Sequence, residues 1–183
     1  MHTVMRLAAC GVLLTLAACD RGPTGSVPEA AAPAADDAAL PAVVAAALAE
    51  IAAECSDVGG TPHTRDAVRR IDLNGDGRDD YVLHTGWVMC ENAVSVYGDR
   101  AKRLAIFAGD GRGGAAESFS DWTYDAQFEG DPATLWLVVA GDNCGQPPAP
   151  DFASESFCQR AITWNSGSGR FDYAPVDTVR MIE

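Results

Sequence analysis

The sequence has little positive charge. Its 183 residues include 13 lysines and arginines against 26 aspartates and glutamates, which gives a formal net charge of −13. A surface of this sign repels phosphate backbones and anionic lipid headgroups, so the composition argues against nucleic acid as a partner. The same surface suits solubility and the binding of cations.

Motifs for several kinds of catalysis are also lacking. No serine lies in a G-x-S-x-G turn, and the segment Gly109–Gly114 lacks the Lys-Ser/Thr ending of a phosphate-binding loop. We therefore interpret that segment as a hairpin turn. Beyond the N-terminal region the histidines are His63 and His84, and a lone histidine in a strand is more often structural than a base. These absences favour a non-catalytic protein.

The apolar run at the N-terminus is short. Leu7–Leu16 follows the positive charge of Arg6 and is too short to span a bilayer as a stable helix, so residues 1–18 are interpreted as a signal peptide. The run ends in LAAC, which resembles the lipobox of bacterial lipoproteins. That resemblance implies that Cys19 is lipidated and becomes the mature N-terminus. An ordinary cleaved signal peptide ending near Ala18 is the alternative.

A lipid anchor would place the protein in the bacterial cell envelope, facing the periplasm. Asp20 resembles the signal that retains some lipoproteins at the inner membrane, but that rule differs among lineages, so either membrane is open. Residues 19–40 are rich in alanine, proline and aspartate without periodicity, which predicts a flexible tether. Residues 41–183 are long enough for a single globular domain.

The domain is predicted to be α+β and mainly antiparallel β. Pro41 can occupy the first turn of a helix that runs to about Cys55. The apolar face of that helix carries Val43, Val44, Ala47, Leu48 and Ile51. Short apolar segments separated by turn residues follow, without helical crossovers, so we expect a twisted antiparallel meander covered by the N-terminal helix. The predicted strands are Val68–Leu73, Tyr81–Thr85, Leu104–Ala108, Ala115–Phe119, Ala126–Glu129, Leu135–Ala140, Arg160–Trp164 and Phe171–Ala174.

The cysteines of this domain lack the C-x-x-C spacing of zinc sites. An even number of cysteines in an exported chain favours disulfides, and four cysteines allow three pairings. Of these we favour Cys55–Cys90, which ties the end of the helix to a later segment, together with Cys144–Cys158. The second pair would close the short loop Gly145–Phe157.

Oxygen-bearing side chains are concentrated in Ile71–Leu83. They lie at positions 1, 3, 5 and 9 of a tight loop, as Asp72, Asn74, Asp76 and Asp80. The three carboxylates repel one another unless a cation lies among them, and Ca²⁺ takes about 6–8 oxygen ligands. Gly77 follows the third of these residues, where the chain must turn sharply and needs a positive φ. We expect Arg78 to supply its backbone carbonyl, with its side chain toward water, and Asp79 to face away.

The loop pattern D-x-N-x-D-G-x-x-D is not an EF-hand, because its twelfth residue is Leu83 instead of glutamate and its flanks are typical of strands. It resembles the calcium loops of FG-GAP and integrin-type propeller blades, which implies Ca²⁺ as the cofactor. The pattern occurs once, whereas a propeller repeats it. A hairpin turn without metal is the alternative, since Asn, Gly and Asp are ordinary turn residues.

The whole chain also resembles small bacterial envelope lipoproteins that carry this loop and a Cys-Gly pair, here Cys144-Gly145. That likeness implies no activity. We therefore predict a non-catalytic, Ca²⁺-stabilised envelope lipoprotein that binds an unidentified protein or envelope component. The candidate binding surfaces are Trp122 with its neighbours Asp121 and Tyr124, and the segment Gln146–Phe152.

Two alternatives belong to other functional classes. An envelope hydrolase could use Ca²⁺ as a structural ion or a Lewis acid, with His84 or His63 as the base. A small inhibitor of envelope-attacking enzymes would instead present the predicted disulfide-closed loop Gly145–Phe157. A deep concave site that held His84 beside two carboxylates would favour the hydrolase.

Overall fold

The computed structural model describes residues 39–147 and 149–182. The predicted signal peptide, the lipidation site Cys19 and the predicted tether up to residue 38 lie outside the described residues. Within the described ranges the chain forms one α-helix, four short 3₁₀ helices and eleven strands. None of the helices in this part of the chain has the length and hydropathy that crossing a membrane requires.

The helix α1 (Ala42–Asp57) packs on the sheet through one face. Pro41 is its N-cap, with φ of −52° and ψ of 144°, so the helix begins one residue later than predicted. Proline fixes φ but leaves ψ free, and here ψ is extended. Val44, Ile51 and Cys55 are buried, whereas Val43, which was predicted on the same face, is 39% exposed.

Four antiparallel strands form the first sheet, in the order β2–β3–β5–β6. They are β2 (Val68–Ile71), β3 (Asp80–His84), β5 (Lys102–Gly109) and β6 (Ala115–Thr123). Successive side chains of a strand point to opposite faces. On β3, Leu83 accordingly packs with the residues of α1, and Val82 packs on the opposite side. The segment Gly109–Gly114 is the predicted hairpin turn between β5 and β6.

A second antiparallel sheet covers the other face of the first. Its strands are β7 (Asp125–Glu129), β8 (Thr134–Ala140), β9 (Phe157–Asn165), β10 (Arg170–Tyr173) and β11 (Arg180–Met181). The order is β10–β9–β8–β7, and β11 also pairs with β9. Ile106 and Phe119 of the first sheet share one buried core with Leu137 and Ile162 of the second.

The fold class is confirmed as α+β and mainly antiparallel β. All eight predicted strands form, with ends shifted by a few residues, but they make two meanders and not one. The chain leaves the first sheet at Thr123, whose hydroxyl oxygen lies 2.7 Å from the carbonyl oxygens of both Asp125 and Val138 and can donate to either of them. The amide of Tyr124 donates to Val138 at 2.8 Å, and this corner directs β7 onto β8.

Both favoured disulfides are confirmed. Cys55–Cys90 joins α1 to β4 (Met89–Glu91), which pairs with β1 (Thr61–His63) in a small separate sheet. Cys144–Cys158 joins a 3₁₀ helix to β9. The 3₁₀ helices are Thr85–Trp87, Gly141–Cys144, Phe152–Ser154 and Val176–Thr178.

Candidate functional site

The predicted calcium loop is the connection between β2 and β3. Ile71 and Asp80 face each other as the last strand pair before it, so the loop is flanked by strands as predicted. Gly77 has a φ of +77°, which confirms the sharp turn expected at this position. A side chain there would be strained, because the left-handed region disfavours a Cβ.

The Asp72 carboxylate organises the first half of the loop. Its Oδ1 accepts the backbone N–H of Gly75 at 2.8 Å, and its Oδ2 accepts that of Gly77 at 2.8 Å. The side-chain oxygen of Asn74 accepts the N–H of Asp76 at 2.9 Å. These are the local side-chain to backbone bonds that Asn and Asp form in turns. The first two predicted ligands therefore direct their oxygens into the loop.

Asp76 is bound by Arg78 through both its backbone and its side chain. The N–H of Arg78 donates to Asp76 Oδ1 at 2.9 Å, and its guanidinium pairs with Oδ2. The side-chain hydrogen bond from Arg78 is the main cause that lowers the pKa of Asp76. The Arg78 side chain is about half exposed, in line with the expectation that it lies toward water, and its guanidinium also pairs with a carboxylate two residues away.

Asp80 is fully buried and connects the loop to the next hairpin. Its Oδ2 accepts the N–H of Leu73 at 3.0 Å, and its Oδ1 accepts the N–H of Gly109 at 3.1 Å. Burial raises the pKa of Asp80, and the negative charges of Asp76 and Asp72 raise it further. The carboxylates of Asp76 and Asp72 therefore lie close enough to repel the charge of Asp80.

Gly109 allows the close approach of these two segments. A Cβ at this position would collide with the backbone carbonyl oxygen of Asp79. The Asp79 residue itself is exposed, as predicted for the residue that faces away from the loop. The carboxylate of the neighbouring Asp80 links the two hairpins at this point.

The donor chemistry of the loop fits a hard cation, since every one of its four predicted side-chain ligands offers oxygen. Among the described residues, however, no three His, Cys, Asp or Glu side chains are arranged so that they could hold a metal ion. Arg78 is paired with Asp76, and each oxygen of Asp80 accepts a backbone N–H. A cation at this place would have to displace the guanidinium from Asp76.

We expect Asp80→Ala to lower the free energy of unfolding by about 2 kcal/mol when it is measured with a chelator present. The substitution leaves the N–H groups of Leu73 and Gly109 without their acceptor, and each such loss costs about 1 kcal/mol or more. Asp79→Ala is the matched control and should change stability by less than about 0.5 kcal/mol. Urea unfolding of the two variants measures the difference, and equal losses would contradict the anchoring role of Asp80.

A cleft of about 350 Å³ lies between α1 and the first sheet. Its apolar floor includes Ile51, Leu83 and Phe107, all buried. Its polar lining comes from α1, β5 and β6, as Glu50, Arg103, Glu117 and Asp121. Trp122, which was predicted as part of a binding surface, lines the cleft and is 55% exposed.

Tyr124 and Phe152, two further members of the predicted binding surfaces, do not line this cleft. Tyr124 packs against Phe152 and Phe157, with ring centroids 6.2 and 4.8 Å away. The guanidinium of Arg100 lies 3.8 Å from the Phe152 ring centroid. Tyr124 and Phe152 thus lie in one aromatic cluster, whereas Trp122 lines the cleft.

His84 is buried at 2% exposure, and neither ring nitrogen has a hydrogen-bond partner within the described part of the chain. Its ring lies edge-on to Trp87, with centroids 5.0 Å apart. Burial lowers the pKa of His84 from 6.5 to about 4. His84 is not among the residues that line the cleft under α1, so its surroundings are those of a core residue.

No protein-family model matches the chain, and no curated protein or solved structure matches it.

The cleft under α1 was not predicted from the sequence, although two of its lining residues, Trp122 and Asp121, were named as part of a binding surface. The alternation of Arg103, Ala105 and Phe107 along β5 does place them on one face. Its opposing wall comes from α1, whose position on that face no sequence pattern specified.

Proposed function

We propose that the protein is a non-catalytic lipoprotein of the bacterial cell envelope whose β2–β3 loop binds one structural Ca²⁺. The support for the ion comes from the loop itself, where Asp72 and Asn74 direct their oxygens inward and the charges of Asp72 and Asp76 repel that of the buried Asp80. A divalent cation removes this repulsion. The anchor would be Cys19, which lies outside the described residues, and the domain would face the periplasm from either membrane.

The proposed ligands are the side-chain oxygens of Asp72, Asn74, Asp76 and Asp80 and the backbone carbonyl of Arg78. The guanidinium of Arg78 would leave Asp76 when the ion binds. A second partner lies within its electrostatic reach: Asp76 is the main cause that raises the pKa of Arg78, and the charge of Asp110 adds to it. The Arg78 side chain already lies against Gly111 of the β5–β6 turn, so in this proposal it would turn from Asp76 toward Asp110 when the ion binds.

The role of the ion in this proposal is to stabilise the fold. An ion that binds the folded loop and not the unfolded chain adds about 2.7 kcal/mol at a hundredfold excess over its dissociation constant. The loop is joined to the β5–β6 hairpin through Asp80 and Gly109. The ion would thus hold two hairpins of the first sheet together, on the same sheet that forms the floor of the cleft under α1.

We expect saturating Ca²⁺ to raise the melting temperature by about 5–10 °C over the value with a chelator, because about 2.7 kcal/mol corresponds to such a shift in a domain of this size. Asp76→Ala should remove most of this increase, and Asp79→Ala should keep it. With the chelator the two variants should melt within about 2 °C of each other, since an exposed ion pair such as Asp76–Arg78 contributes little.

Thermal unfolding followed by circular dichroism measures all of these shifts. An equal response of Asp76→Ala and Asp79→Ala to Ca²⁺ would contradict the ligand assignment. A wild-type melting temperature that does not change with Ca²⁺ would contradict the calcium role itself.

The domain would also bind a protein or another envelope component. The support for a binding role over the hydrolase alternative comes from His84, which is buried, lowered in pKa and away from the cleft under α1. A general base needs access to substrate and a pKa near the working pH. His63, the other candidate base, is exposed and has Glu91 as its partner at 3.4 Å.

A further inference from the structure

We infer that the cleft under α1 binds a lysine or arginine side chain of a partner protein. This inference rests on the binding role proposed above and gives that role a surface and a partner chemistry. Three features of the cleft support it: an apolar floor, an uncovered tryptophan and carboxylates without a basic partner.

The floor and size of the cleft suit a side chain with an apolar stem. Ile51 of α1 and Leu83 and Phe107 of the sheet are buried beneath it. Lysine and arginine bury their methylene stems along apolar surface and keep the charged end near water or a polar partner. A volume of about 350 Å³ is at the lower end for ligand sites, which fits a side chain better than a large cofactor.

Trp122 differs from the other tryptophans of the chain. The guanidinium of Arg69 lies 5.3 Å from the Trp87 ring, and that of Arg180 lies 3.5 Å from the Trp136 ring. Trp164 packs against a phenylalanine ring. Trp122 has no such ring or cation contact with the described residues and is 55% exposed. A cation over its face would make the contact that this protein already makes at Trp87 and Trp136.

The charges around the cleft have the complementary sign. Arg103 is paired with Glu54, whose two carboxylate oxygens lie 2.6 and 2.7 Å from its Nη2. Glu50 and Glu117 also line the cleft, and no salt bridge within the described ranges includes them. The carboxylate of Asp121, in contrast, accepts a hydrogen bond from the Tyr173 hydroxyl of the second sheet at 2.9 Å. Carboxylates above low-dielectric walls focus the field and attract a cation.

The position of Trp122 favours a protein as the source of the cation. Trp122 and Glu117 lie on β6, which has β5 as its one strand neighbour in the described part of the sheet. An edge strand leaves backbone N–H and C=O groups for an extended segment of another chain. Such a segment would place alternate side chains toward the cleft.

The test uses the full-length protein and three probes: a hexapeptide of alternating lysine and alanine, the same peptide with glutamine for lysine, and spermidine. Calorimetric titration at moderate salt measures each affinity. We expect the lysine peptide to bind, the glutamine peptide not to bind detectably, and spermidine to bind at least tenfold more weakly than the lysine peptide. Spermidine that binds as tightly as the peptide would overturn the assignment to a protein side chain.

The variants separate the cleft from the general acidity of the surface. Trp122→Ala and the double variant Glu50→Gln/Glu117→Gln should each weaken binding of the lysine peptide at least tenfold. The charge-matched control Asp99→Asn/Asp177→Asn, at exposed carboxylates outside the cleft, should change it less than twofold. Equal losses in the two double variants, or full binding by Trp122→Ala, would overturn the inference.

Melting temperatures of the variants verify that each is folded. The response to Ca²⁺ is measured on the same samples and does not depend on the cleft. A protein that is stabilised by Ca²⁺ but does not bind the lysine peptide would overturn the cleft assignment alone. Peptide binding without stabilisation by Ca²⁺ would overturn the calcium role and leave the cleft assignment supported.

Discussion

Replacing both Cys55 and Cys90 with alanine should lower the free energy of unfolding by about 4 kcal/mol. This disulfide spans 35 residues of sequence, and in the chain-entropy model a closed loop of that length restricts the unfolded chain by about 4 kcal/mol. Cys55 and Cys90 are 0% and 2% exposed, so the missing sulfurs also leave a gap that adds to the loss. The bond joins α1 to β4 and thereby helps to hold in place the helix that forms one wall of the cleft.

The second disulfide is the matched control for this prediction. Cys144–Cys158 spans 14 residues, so Cys144→Ala/Cys158→Ala should cost about 3 kcal/mol, somewhat less than the first pair. Urea unfolding of both double variants at neutral pH gives the two values. If the variant lacking Cys55–Cys90 were as stable as the wild type, the bond could not be what holds α1 in place.

Acidification from pH 6.5 to 4 should cost the fold about 3 kcal/mol through His84 alone. Burial lowers the pKa of His84 from 6.5 to about 4, whereas the charge of Asp125 raises it and that of Lys102 lowers it. Between these two pH values His84 therefore binds a proton in the unfolded chain but not in the folded chain. The free energy of unfolding falls by about 1.4 kcal/mol for each pH unit in this window and is unaffected by His84 above it.

The variant His84→Leu isolates this contribution. Leucine has a similar volume and no titrating group, so the wild type should lose about 3 kcal/mol more than the variant between pH 6.5 and 4. Burial raises the pKa of Asp80, so Asp80 has the opposite effect and stabilises the fold at low pH. Both proteins contain Asp80, so its effect cancels when the two pH profiles are subtracted. His63→Ala, at an exposed histidine, is the control for the loss of an imidazole. Parallel profiles of wild type and His84→Leu would contradict the buried neutral state of His84.

Local patterns of the sequence were enough to predict most elements of the fold. Hydrophobic alternation bounded by turn residues identified all eight of the longer strands, and the positive φ of Gly77 followed from its place after Asp76. The strands β1, β4 and β11 were missed because they have only three, three and two residues, and β1 contains Pro62. Such short segments carry too little periodicity to be recognised.

Features that depend on contacts between distant residues could not be predicted in this way. The division into two sheets depends on Thr123, whose hydroxyl reaches the carbonyl of Val138. The predicted loop residues share one hairpin, but the guanidinium of Arg78 on Asp76 and the contact from Asp80 to Gly109 follow from the folded geometry. The cleft requires α1 to lie on β5 and β6, and these elements are far apart in the chain.

The calcium loop is best tested by calorimetric titration of the full-length protein with Ca²⁺ after all metal has been removed with a chelator. We expect saturable binding of one ion per chain, loss of that binding in Asp72→Ala, and unchanged binding in Asp79→Ala. A titration without saturable heat, or one in which Asp72→Ala binds as the wild type does, would show that the loop is a hairpin turn and not a metal site.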